Sequence, residues 1–383
     1  MFCCEIYIFS AKLCQKPNKN EEIFGNYLFI PKICLKFGTN FIYFMRTKKI
    51  TLNDISTYTG LSKTTISRVL SGKSKEFRIN RQTCDAVISA AQELNYRPDM
   101  IAQLLHKKPM KTIGIVMPNI SNPFFAALAS AISVEAKKSD LIVILFDTQD
   151  DPLQEESALR KMQEYRVDGI IVAPCGKDSR LLEKISRSIP LIQVDRYFES
   201  AGLSYVSTNN FKGAYDAMTM LIKSGHRNIV CIQGPVFSIT NRERIRGCQQ
   251  AIDDSGEQCT FHVIGNDFTI ENGYIEGQFA LNLTPRPTAI FAMSNTIMLG
   301  TLHAIREHRL SIPDDISIIS FDDNLYIDYL NPPVTRVAQP VASMGIAAIK
   351  MLVNSMRQNG DLHSTMLLTP TIINRDSVKV IEP

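Results

Sequence analysis

Thr51 to Leu70 reads TLNDISTYTGLSKTTISRVL. Leu52, Ile55 and Tyr58 recur at helical spacing until Gly60 interrupts them. Ser62 can accept a backbone N–H and open a second helix that carries Ile66, Val69 and Leu70 on one face. Glycine supplies a turn that other residues resist. The stretch therefore predicts two short helices joined by a tight turn, a helix-turn-helix. Lys63, Thr64, Ser67 and Arg68 are left on the outer face of the second helix. An apolar back seats such a helix on its own domain, while a polar front presents hydrogen-bonding groups to base edges in the major groove.

The charge distribution agrees with a polyanion-binding module. Residues 46–111 carry about +8 and residues 112–383 about −6, although the whole chain sums to only +4. A solvated basic surface is the alternative reading of the same numbers. With 383 residues, 45% hydrophobic, the chain is long enough for two or three domains. No apolar run approaches ~18 residues, so no transmembrane helix is expected. The nine cysteines are scattered, with Cys3 and Cys4 adjacent and no pair at a zinc-ligand spacing near a histidine. They predict reduced thiols, no bound metal and a cytoplasmic location. Residues 1–44 are rich in Phe, Ile, Tyr and Cys without a period, and Met45 is followed by Arg46, Lys48 and Lys49. We expect 1–44 to stand outside the fold, as an upstream translation or an unstructured tail.

Beyond the second helix, a loop from Ser71 to Asn80 holds Lys73, Lys75 and Arg78, each able to meet phosphate. Thr83 to Leu94 predicts a third helix with Val87, Ile88, Ala91 and Leu94 as its core face. Tyr96-Arg97-Pro98 ends it, because proline disfavours helix in the residue before it. Asp99 to Lys108 is too short to hold a helix alone in water. That linker is expected to form only with DNA or a partner chain present.

From Lys111 apolar strands alternate with amphipathic helices. The strand candidates are Ile113–Met117, Leu141–Phe146, Gly169–Ala173, Leu191–Val194, Ile229–Ile232, Phe261–Ile264, Ala289–Phe291 and Ile316–Phe321. This alternation predicts an α/β fold, with strands enough for two doubly wound parallel sheets. Ligands of such folds sit at the carboxyl ends of the strands. There the chain places Asp195 with Arg196, and Asp322 with Asp323, while Arg244 lies near the start of a helix. Carboxylates and an Arg fork suit the hydroxyls of a sugar. Asp322 and Asp323 are sequence neighbours in a loop, which does not make a catalytic pair. No Ser-His-Asp, metal or P-loop pattern occurs, so neither an enzyme nor a cofactor is expected. His226 reads as a turn residue.

The ordered strings SKTTISRVL, ELNYRPDMIAQLL, TIGIVMPNISNPFF, RVDGIIVAP, IPLIQVDR, SGHRNIVCIQGP, PDDISIISFDDN and PPVTRVAQPV resemble the LacI/GalR family of bacterial transcription regulators from about Thr47 to Arg375. The resemblance implies a helix-turn-helix head (45–97), a hinge helix (98–110) and a core like a periplasmic sugar-binding protein (111–383). It implies two Rossmann-like subdomains, about 111–207 with 338–364 and about 208–337 with 365–383. The crossovers would lie near Ser207–Asn210, Val337–Gln339 and Ser364–Leu367. It further implies a homodimer on a pseudo-palindromic DNA operator, most simply a repressor, controlled by a small effector of the sugar class. Lys63, Thr64 and Arg68 match base-reading positions, with Ser67 on the same face, and Leu105 matches a leucine that wedges into the minor groove. Phe124, Phe125, Asp195, Arg244, Phe268, Ser294, Asp322 and Gln339 would line the effector cleft, Phe125 being open to core packing instead. Asp323 reads as a helix cap or a loop-bonding group rather than a ligand contact. Where the family usually shows Asn-Asp, this chain has Ser294-Asn295, which removes a carboxylate from the cleft. A soluble sugar-binding protein without a regulatory role would share the core but would lack the basic head.

Overall fold

The computed structural model describes residues 50–96, 112–358 and 363–381, and the chain falls into two compact units, Met1–His106 and Lys107–Pro383. The expectations for residues 1–44 and for the hinge, including Leu105, fall outside the described residues.

The first unit holds α1 (Leu52–Thr59), α2 (Lys63–Leu70) and α3 (Arg81–Glu93). Thr51 opens α1, its backbone N–H and its hydroxyl both donating to Asp54 Oδ2 at 2.8 and 2.7 Å. Gly60 closes α1 at φ +70°, a left-handed conformation that costs glycine little. Ser62 Oγ then accepts from Thr65 N at 3.1 Å and starts α2. Ile55, Ile66, Val69, Val87 and Ala90 form the buried centre. Two expected core positions differ. Ile88 is 46% exposed, because α3 turns Val87 and Ala90 inward and leaves Ile88 on its outer flank. Tyr58 is 58% exposed and reaches across to donate to Glu93 Oε2 at 2.6 Å.

The second unit contains two six-stranded sheets. The first is built from β1 (Thr112–Met117), β2 (Ile142–Asp147), β3 (Gly169–Val172), β4 (Leu191–Val194), β5 (Tyr205–Thr208) and a late strand, Thr365–Leu368. The helices Pro123–Lys138 (α4), Pro152–Glu164 (α5) and Arg180–Ser186 (α6) connect its early strands. After the chain crosses over, α7 (Asn210–Lys223), β6 (Asn228–Ile232), α8 (Ile239–Ser255), β7 (Thr260–Ile264), α9 (Ile270–Leu281), β8 (Ala289–Ala292), α10 (Asn295–Glu307), β9 (Ser317–Phe321) and β10 (Thr335–Ala338) build the second lobe. α11 (Val341–Gln358) and β11 (Thr365–Leu368) return to the first sheet, and β12 (Thr371–Ile373) closes the second antiparallel to β10.

The sheet orders are β11-β5-β4-β3-β1-β2 and β12-β10-β9-β8-β6-β7. Each reverses direction beside its first strand, where β1 lies between β2 and β3, and β6 between β7 and β8. Crevices open at such switch points, beyond the carboxyl ends of the strands. The inner strands β1, β3, β4, β6, β8 and β9 are almost wholly buried, which is why they read as continuous apolar runs.

All the predicted strands form. The third crossing corrects the expectation: β11 pairs with β5 in parallel, so Thr365–Leu368 belongs to the first sheet and the chain crosses only between Leu368 and Thr371. The strands that sequence reading missed, β5, β10, β11 and β12, all adjoin crossings. They are three or four residues long and read YVST, TRVA, TMLL and TII, too short to show a period.

Candidate functional site

The outer face of α2 presents Lys63, Thr64 and Ser67 as exposed side chains. Arg68 is half-buried, its guanidinium lying 3.8 Å over the ring centroid of Phe77. All four sequence-selected residues therefore share one surface of the first unit.

In the second unit a cavity of about 300 Å³ opens between the lobes. Phe124, Phe125, Asp195, Arg244, Phe268, Ser294, Asp322 and Gln339, all eight selected from sequence, line it. The cavity is also lined by Asn119, Asn122, Asp150, Thr240, Asp267 and Thr296, which sequence reading did not select. Asn119, Asp150 and Asp267 follow β1, β2 and β7, so the rule that picked Asp195 and Asp322 would have found them had it been applied to every strand.

The two lobes repeat one device. Asp195 follows β4 and Asp322 follows β9, with φ of +60° and +77°. Asp195 N donates to Val206 O at 2.9 Å, and Asp322 N to Val337 O at 3.0 Å, in the neighbouring strand of each sheet. Aspartate tolerates the left-handed region better than most residues, and this backbone turns each side chain out of the sheet toward the cavity.

The two carboxylates differ in their partners. Asp322 Oδ1 accepts from Gln339 Nε2 at 2.6 Å and Oδ2 from Asn295 N at 3.3 Å. Asp195 is 4% exposed, and its carboxylate meets no hydrogen-bond donor among the described residues. Burial pushes its pKa up to about 6, against the pull of Arg244 and Arg196. Arg244, on α8 of the second lobe, lines the cavity. Its Nε donates to Asn210 Oδ1 at 2.8 Å, its Nη1 to Met293 O, and its plane stacks 3.7 Å from the Phe321 ring. Its Nη2 makes no hydrogen bond among the described residues, leaving a donor for the cavity. Arg196 pairs with Asp150 and lies 5.2 Å from the Phe125 ring. Phe124 and Phe125 meet edge to face at 5.1 Å; both belong to the first lobe's core and both reach the cavity wall. Packing and cleft-lining are thus not exclusive for Phe125. Phe268 lies flat against Gly234, where a Cβ would come within 2.2 Å of its ring.

Asp323 binds Arg336 Nε at 2.6 Å, a structural ion pair. His226 is buried between Thr288 Oγ1 at 3.0 Å and Lys379 O at 3.1 Å, and burial lowers its pKa. It braces the base of the second lobe, as the turn reading implied.

Asp195 allows a pH test. In the folded chain Asp195 releases its proton near pH 6, whereas an unperturbed aspartate releases it near 3.8. Its contribution to stability is therefore whole below pH 3.8 and lost as pH rises through about 6. Asp195→Asn, which cannot ionise, is expected to exceed the wild type in stability above pH 6 by on the order of 2 kcal/mol, with the difference shrinking toward pH 4. Urea unfolding at pH 4 and pH 8 checks this; a difference independent of pH would contradict it.

Residues 51–99 match the model of bacterial regulatory proteins of the lacI family, and residues 218–378 match a periplasmic binding protein-like domain. The ribose operon repressor of Haemophilus influenzae is 31% identical over 86% of this chain and 98% of its own length. The chain belongs to the lacI family. The HTH-type transcriptional regulator DegA of Bacillus subtilis is also 31% identical at the same coverage. The PurR repressor of Photobacterium profundum is 29% identical over 86% of this chain and 98% of its own. Among solved structures, the Lac repressor dimer bound to operator and an anti-inducer superposes with a TM-score of 0.77 at 23% identity, covering 87% of this chain and all of that one. A LacI family regulator from Enterococcus faecium with bound ribose gives 0.65 at 25% identity, covering 71% and 100%. This lacI-family chain is thus a DNA-binding transcription regulator with an effector-binding core, and its relatives are regulators rather than enzymes.

Proposed function

We propose that this lacI-family chain represses transcription as a homodimer on a pseudo-palindromic operator, and that a neutral polyhydroxylated effector of the sugar class, held in the cleft, controls its grip on DNA. The observation that carries the effector reading is the unpartnered carboxylate of Asp195 facing Arg244 across the cavity. A buried charge without donors is costly. Hydroxyls that donate to Asp195 and accept from Arg244 recover that cost, and few groups other than hydroxyls do both. Phe124 and Phe268 offer apolar walls to the C–H faces of a sugar ring. Four aspartates against two arginines line the cavity, which disfavours phosphorylated sugars.

Two of the relatives named above are repressors, one of a ribose operon. Ile275, Phe279, Leu325 and Tyr329 of the second lobe are 54–92% exposed in the single chain, as a dimer face would be before assembly. No helix of the described residues is long and apolar enough to cross a membrane, and a regulator of the chromosome acts in the cytoplasm. In this reading the effector contacts both lobes, favours one cleft arrangement, and biases the DNA-binding heads through residues 98–110.

A thermal-shift panel on the full chain tests the effector class. A neutral monosaccharide at about 100 times its Kd stabilises by about 2.7 kcal/mol. We expect such a shift, abolished in Asp322→Ala, and none from the matching sugar phosphates. Shifts from purines alone would overturn the sugar assignment.

A further inference from the structure

In the first unit one contact is unaccounted for by folding. Phe77 is 40% exposed and stands apart from the residues that pack the three helices, yet its ring lies under the Arg68 guanidinium at 3.8 Å. The loop that carries it is built to hold it there. Lys73 N donates to Arg68 O at 2.9 Å, Phe77 N to Lys73 O at 3.2 Å, and Ile79 N to Ser74 O at 2.9 Å. Ile79 packs on the core and Arg78 turns the chain at φ +49°. The turn so formed folds the aromatic ring back against α2.

A guanidinium that stacks by its face keeps its N–H groups in plane and pointing past the ring. The Arg68 side chain makes no hydrogen bond or ion pair among the described residues, so that edge is uncommitted. An Arg edge of this kind is what pairs bidentately with guanine O6 and N7 in the major groove. A long exposed side chain otherwise samples many rotamers and loses that freedom on binding. Stacking on Phe77 removes part of that loss beforehand.

We propose that Phe77 is a positioning residue for operator recognition, a ring platform that pre-orients Arg68 toward a base. The inference rests on the reading of α2 as the operator-reading helix. Phe77 itself touches no base in this scheme and acts through Arg68.

The test is selection of preferred duplexes from a randomised palindromic library by the full chain, followed by binding titrations. The wild type is expected to select one sequence, and Arg68→Ala to relax preference at one position in each half-site by about five- to 150-fold. Phe77→Ala should relax the same position by about two- to fivefold per half-site. Phe77→Tyr, which keeps the ring, should retain the preference. Far-ultraviolet circular dichroism of the Phe77→Ala chain reports that the head remains folded. A Phe77→Ala chain that weakens on every sequence alike, or keeps the Arg68-dependent preference whole, overturns the proposal. So does an Arg68→Ala chain with unchanged preference. A wild type that selects no sequence would instead overturn operator binding itself, which separates the two failures.

Discussion

Arg244→Met is expected to lower the stability of the effector-binding unit by about 3–5 kcal/mol and to abolish effector binding. Arg244 is buried, and it serves five groups at once: it donates to Asn210 Oδ1 and Met293 O, stacks on Phe321, and supplies the positive charge that Asp195 and Asp322 both feel. Methionine of similar length fills much of the space but leaves two acceptors unpaired and two carboxylates without their shared counter-charge. Arg244→Lys should fall between, since an ammonium can neutralise charge but can neither fork nor stack in the same way. Without Arg244 the Asp195 pKa rises above about 6, so the deficit of the Met variant should narrow as pH falls from the alkaline side toward 6, below which Asp195 is protonated in both proteins. Urea unfolding across that range reads both effects. A loss under about 1 kcal/mol would mean that the second lobe holds its packing without these contacts.

Gly300→Ala is expected to cost about 3 kcal/mol or prevent folding of the second lobe. α9 and α10 cross with their backbones in contact: a Cβ on Gly300 would lie 1.9 Å from Ile270 O and 2.5 Å from Tyr274 N. The facing Gly273 is as tight, its added Cβ lying 2.1 Å from Ile297 O. Neither helix can yield locally, because the obstacles are main-chain atoms. Gly114→Ala is the contrast. The nearest atoms to its Cβ would be the Sδ, Cε and Cγ of Met162, a flexible thioether able to repack, and about 1 kcal/mol is expected there. Comparing the denaturation midpoints of the two variants tests the distinction. Equal losses would show that helix crossing in this lobe is more compliant than its geometry implies.

These two residues also mark what could be read in advance. Arg244 was visible because an arginine near a helix start, downstream of a strand, stands out against polar expectation. The bonds it makes across the second lobe were not, because Asn210, Met293 and Phe321 are 34, 49 and 77 positions away in sequence. Gly300 sits within an ordinary helical pattern, and its necessity arises from α9, an element that sequence cannot place beside it. Ser294-Asn295 behaves likewise. The departure was legible, but that Ser294 Oγ caps α10 at Ile297 N, 3.2 Å away, while Asn295 N binds Asp322 follows from the fold.

Local periodicity and capping determined the helix-turn-helix, since Thr51, Gly60 and Ser62 act on residues three or four places away. They also determined the buried strands, whose two covered faces demand unbroken apolar runs. Which short strands close the crossings, where the third crossing lies, the burial of Asp195 without a donor and the seat of Arg68 on Phe77 were decided by tertiary structure. Each depends on groups distant in sequence whose separation in space is set only when the sheets, loops and helices pack, and no periodicity within a single segment carries that distance.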